Sequence, residues 1–245
     1  MTHFCPANAL QGPVQDRQHP LPVFFSACFP AALIVQYLSE PEGYERDRAP
    51  GKERIVERLT IDEAIRLNNT MVTEDHLKLH AANVAACMGA MAEHFGADKE
   101  HWEAVGYLHD YDYEKYPDEH LAHTEEPLRE AGVPEEDIRC ILSHGYGICS
   151  DVEPLSDMEK SLFTVDELSG IIQAAARMRP NGITDMEIKS FMKKWKDKKF
   201  AAGCDRPLIL KGCEMLGMEL RDVAEICIEG MKAHAEELGL AGAQA

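Results

Sequence analysis

The chain has 245 residues, 45% of them hydrophobic and 7% aromatic, which suits one domain with a sizeable core plus an appendage. Its 25 Lys and Arg face 43 Asp and Glu, and the formal net charge of -18 argues against stable binding to duplex nucleic acid. A small phosphorylated partner stays open, because a bound cation outweighs a distant negative surface.

Residues 1–54 are set apart by their prolines: Pro6, Pro13, Pro20, Pro22, Pro30, Pro41 and Pro50. Proline at this density opposes helix and sheet alike, so an irregular extension is expected here. Within it, residues 23–38 read VFFSACFPAALIVQYL. The run is short for a membrane span and is broken by Pro30. A signal peptide needs a basic start, and only Arg17 lies nearby upstream. No membrane association is expected. The eight cysteines (Cys5, Cys28, Cys87, Cys140, Cys149, Cys204, Cys213 and Cys227) contain no CxxC pair, so the expectation is reduced thiols in a cytoplasmic protein.

From Ile55 to about residue 240 the pattern is helical. Thr60-Ile-Asp-Glu63 has the form of a capping box. A helix is predicted over 73–95, with an apolar stripe of Leu77, Val84, Cys87, Met88, Met91 and Phe95 and a stop at Gly96. Further helices are predicted over 99–108, 120–131, 135–143 and 157–178. Thr184-Asp-Met-Glu187 repeats the capping-box form, and two or three amphipathic helices follow over 188–240. No period-two alternation stands out, so the fold class is all-α.

Four polar residues interrupt apolar helical text. His80 precedes Val84 by one helical step, His109 and Asp110 close the helix that carries Val105 and Leu108, and Asp166 sits inside LFTVDELSGII. A buried carboxylate is costly unless it is paired or binds a metal. Two imidazoles and two carboxylates suit Mn, Fe, Co, Ni or Zn. Taken singly, each residue also admits a plainer role: a satisfied core histidine, or an aspartate paired with Arg139 or Arg177.

The stretches HLKLHAANVAACM, GYLHDYDYEKYPDEH, ILSHGYG and SLFTVDELSG together resemble the HD-domain superfamily of metal-dependent phosphohydrolases, over about residues 60–238. KKWKDKKFAAGCDRPLILKGCEMLGMEL further resembles a bacterial and archaeal group of HD-superfamily hydrolases. The resemblance implies an HD-like helical bundle, with His80, His109, Asp110 and Asp166 as ligands of one divalent transition-metal ion. His120 and His144 match the ligands of a second ion, which Asp110 would bridge. His76 competes with His80, and His123 with His120, as neighbours on the same expected helical turns.

The implied activity is hydrolysis of a small phosphomonoester or phosphodiester, such as a nucleotide, by a metal-activated water. Asp110 and Asp112 are candidate catalytic residues. Many members place a lysine soon after the His-Asp doublet; here Tyr111, Asp112 and Tyr113 follow it, so Lys115, Tyr113 and His123 are the candidate substrate contacts. A metal-stabilised binding or regulatory module, a metal-free interaction domain and an HD-type di-iron oxygenase are the alternatives.

Overall fold

Thr60 begins the ordered helices, its hydroxyl accepting from Glu63 N at 3.4 Å. Only half of the expected box forms, because the Glu63 carboxylate meets the Thr60 hydroxyl at 3.1 Å. The computed structural model describes residues 58–242, so the Pro-rich stretch and the boundary near Ile55 lie outside the described residues. Among the described residues nine α-helices follow: α1 (Ile61–Met71), α2 (Asp75–Phe95), α3 (Lys99–Leu108), α4 (Glu125–Glu130), α5 (Glu135–Ser143), α6 (Asp157–Arg177), α7 (Ile188–Lys196), α8 (Arg206–Leu216) and α9 (Leu220–Ala233). Among the described residues no β-strand occurs, and the chain is all-α there. No helix among them is long and apolar enough to cross a membrane.

Helix α2 is the axis of the fold. An amphipathic stripe was expected, yet from Ala81 to Met91 every residue except Ala90 is buried. Neighbours on three sides account for this: α3, α6 and α9 all pack on α2. The alanines and glycines between the larger apolar residues let these helices come close. A methyl group added to Gly106 of α3 would stand 3.2 Å from Ala85 Cα, and one on Gly230 of α9 would stand 2.5 Å from the Ala86 carbonyl oxygen. Helix α6 is the second buried element, held between α2, α5 and α8. Its start carries a full capping box, in which Ser156 accepts from Glu159 N while the Glu159 carboxylate accepts from Ser156 N.

Two expectations fail locally. The segment predicted as a helix over 120–131 is helical only from Glu125. Before that the chain turns through a left-handed Leu121, at φ 71°. The Asp112 carboxylate accepts from Leu121 N and His123 N at 3.1 and 3.0 Å, and this tertiary capture outweighs local helix propensity. The second box, Thr184 to Glu187, does not form. Thr184 instead donates to Asn181 O at 2.6 Å, Asp185 is taken by Arg179, and α7 starts behind Glu187 without a side-chain cap. All six described cysteines are free thiols; Cys5 and Cys28 lie outside the described residues.

Candidate metal centre

Two helix ends, two positions within helices and one turn bring the polar residues together. His80 comes from the second turn of α2 and Asp166 from the middle of α6. His109 and His144 are the C-cap residues of α3 and α5, and each directs Nδ1 at the carbonyl three residues back. His109 Nδ1 lies 2.8 Å from Gly106 O, and His144 Nδ1 lies 2.6 Å from Ile141 O. Each ring thus uses a carbonyl of the last helical turn as its acceptor, which fixes the tautomer and leaves Nε2 as a bare lone pair. His120 obtains the same result from a carboxylate, with Nδ1 2.8 Å from Asp112 Oδ1.

The free ends converge on Asp110. On one side, Asp110 Oδ2 stands 3.3 Å from His109 Nε2 and 3.5 Å from His80 Nε2. Asp166 Oδ1 closes this group, 3.0 Å from His80 Nε2 and 3.5 Å from His109 Nε2. On the other side, Asp110 Oδ1 stands 3.3 Å from His120 Nε2 and 3.6 Å from His144 Nε2, and these two nitrogens are 3.1 Å apart. Around an ion with bonds of about 2.1 Å, neighbouring donor atoms stand about 3.0 Å apart in octahedral and about 3.4 Å apart in tetrahedral geometry. The two groups match those spacings. His109 Nε2 adds a further sign: it is buried and makes no hydrogen bond. An enclosed imidazole nitrogen that faces two carboxylates without a well-directed hydrogen bond to either fits a cation ligand.

The electrostatics also call for positive charge. Burial opposes the imidazolium of His109, but Asp110 and Asp166 outweigh it and raise its pKa well above the ordinary histidine value. His120 is held down by burial and pushed up to about 9 by Asp110 and Asp112. Burial disfavours ionisation of Asp110 and Asp166, yet the surrounding imidazoles hold both carboxyls well below the usual range. Without a cation, the carboxylates favour the protonated rings of His109 and His120.

The remaining candidates divide. Tyr113 is half-buried with its ring 5.2 Å from His120, at the edge of the cluster. Asp112 is fully buried, and its two oxygens serve His120 Nδ1, Leu121 N and His123 N. Three of its four acceptor sites are taken and the group is enclosed, so it positions His120 instead of acting as a catalytic residue. Lys115 turns away, donating to Thr70 O at the end of α1. His123 is not on a shared helical turn with His120; it pairs with Glu119 at 2.6 Å and stacks on Tyr116. His76 is half-exposed, with Glu74 3.9 Å away. Arg139 binds Glu159 instead of Asp166.

Glu167 and Cys149, which the sequence did not single out, stand beside the cluster. Burial and then the Asp166 carboxylate push Glu167 up to about 7. Burial first, and then the nearby aspartates, push the Cys149 thiol up to about 11. Comparison of the chain with family models, curated proteins and solved structures returned no match.

Proposed function

We propose that the chain is a metal-dependent phosphohydrolase of the HD type, acting on a small phosphomonoester or phosphodiester such as a nucleotide. In this reading His80, His109, Asp110 and Asp166 hold one divalent transition-metal ion, and Asp110, His120 and His144 hold a second. One observation supports it above the others. His120 Nε2 and His144 Nε2 are 3.1 Å apart while both rings commit Nδ1 to an acceptor, so two lone pairs and the Asp110 carboxylate face one point. Such an arrangement is unfavourable unless a cation or protons occupy it.

Bound divalent ions lower the pKa of a water from about 15.7 towards about 7 and offset charge on phosphoryl oxygens. The chain supplies the rest. Gly106 O, Ile141 O and Asp112 keep three imidazoles aimed, and Asp110 presents one oxygen to each half of the site. His80, Asp110 and Asp166 keep about a fifth of their side-chain surface exposed, which leaves the cluster open to a ligand from their side.

The test loads the purified chain with Mn, Fe, Co, Ni or Zn and offers p-nitrophenyl phosphate and bis(p-nitrophenyl) phosphate. The expected result is turnover that Asp110→Ala abolishes together with bound metal. Full activity in that variant, or a fully loaded chain that hydrolyses no phosphate ester, overturns the proposal.

A further inference from the structure

The metal-binding halves leave open what holds a substrate's phosphate. Lys115, the nearest lysine in sequence, is engaged with the end of α1. A different lysine lies over two aromatic rings whose chain neighbours are candidate ligands. Lys211, from α8, places Nζ 4.5 Å from the ring centre of Tyr146 and 5.3 Å from that of Phe163. Tyr146 follows the ligand His144 by two residues, and Phe163 precedes Asp166 by three, one helical turn away on α6. Lys211 therefore rests on a chain neighbour of a candidate ligand from each half of the cluster.

The lysine is held but not neutralised. Its ammonium lies over a buried Phe163 and a half-buried Tyr146, and the residue remains exposed. The aromatic faces attract the ammonium without consuming its hydrogen-bond donors. Among the described residues no carboxylate lies within ion-pair distance of Lys211, in a chain with 43 acidic residues. The adjoining loop leaves it room: Gly147 has φ 79°, and a methyl group there would stand 3.9 Å from Lys211 Nζ. An ammonium resting on two aromatic faces, with no carboxylate partner among the described residues and over chain neighbours of His144 and Asp166, is suited to a phosphate oxygen.

We propose that Lys211 is the substrate-binding cation of this site, contacting an anionic oxygen of the phosphoester held at the ions. The assignment rests on the hydrolase reading and adds the residue that recognises the phosphate.

The experiment measures binding of inorganic phosphate to the Mn-loaded chain by calorimetry, beside metal content and melting temperature. Lys211→Met keeps an apolar stem on the two rings and removes the charge. The expected result is phosphate binding weakened roughly tenfold, with metal content and melting temperature unchanged. Lys211→Arg keeps most of the affinity. Equal phosphate affinity in wild type and Lys211→Met, or no phosphate binding by the loaded wild type, overturns the proposal. Phosphate binding that depends on Lys211, in a chain that turns over no ester, upholds the subsite and sinks the hydrolase reading.

Discussion

Asp112 holds His120: its Oδ1 lies 2.8 Å from the imidazole Nδ1, and the carboxylate itself is fully enclosed. Asp112→Asn keeps the shape but supplies a neutral amide, so the His120 tautomer is no longer dictated. Loss of such an outer partner typically weakens metal affinity by about 10- to 100-fold. The expected outcome is one retained ion per chain where wild type retains two, read by elemental analysis after dialysis. Two ions retained with unchanged affinity would show that His120 needs no such support.

Metal removal should destabilise the fold, because the ligands come from α2, α3, α5, α6 and the turn at His120. Free metal at 1,000 times its Kd stabilises by about 4 kcal/mol through mass action. Scanning calorimetry should therefore show a higher Tm with added Mn or Zn and a lower one with a chelator. A Tm indifferent to both would remove the cation from the account.

Gly230→Ala should loosen the packing of α9 on α2. The added carbon would stand 2.5 Å from Ala86 O and 2.7 Å from Ala90 Cβ, so a backbone must move. Overpacking of this kind costs about 1–3 kcal/mol. At about 2–4 °C per kcal/mol for a chain of this size, the melting temperature falls by several degrees. An unchanged Tm would mean the two helices have more room than the structure gives them.

Acid should release the cap of α6. Burial raises the pKa of Glu159, but the backbone N–H groups of Ser156 and Leu155, with Arg139, outweigh it and hold the carboxyl below its ordinary 4.5. A group with a depressed folded pKa contributes its stability above the unfolded value and loses it as pH falls through the folded one. Glu159→Gln should therefore be less stable than wild type at pH 7, by about 1–3 kcal/mol, and the gap should close below pH 4.5. Urea midpoints at pH 7 and pH 3 check this; a gap that persists in acid would assign the loss to shape instead of charge.

Helix periodicity located α2, α3, α5 and α6, and the polar interruptions in them marked His80, His109, Asp110 and Asp166 as residues that now share one cluster. The resemblance to HD-domain proteins also marked His120 and His144, which stand with Asp110 in one group. What stayed illegible depends on contacts between distant segments. Nothing local forbids a helix at His120; the left-handed Leu121 exists because a buried Asp112 captures the following amides. The same carboxylate passed for a catalytic candidate, since its partners lie eight to eleven residues away. Lys115 was judged by its nearness in sequence, whereas its ammonium closes the carbonyl end of α1. Lys211 gave no signal at all, because its place is set by the crossing of α8 and α6.

Asp110 offers one oxygen to His80 and His109 and the other to His120 and His144. Its side chain has a single torsional setting to share between them. On the proposed two-ion reading, an ion held by one half would fix that setting, and with it the oxygen presented to the other half.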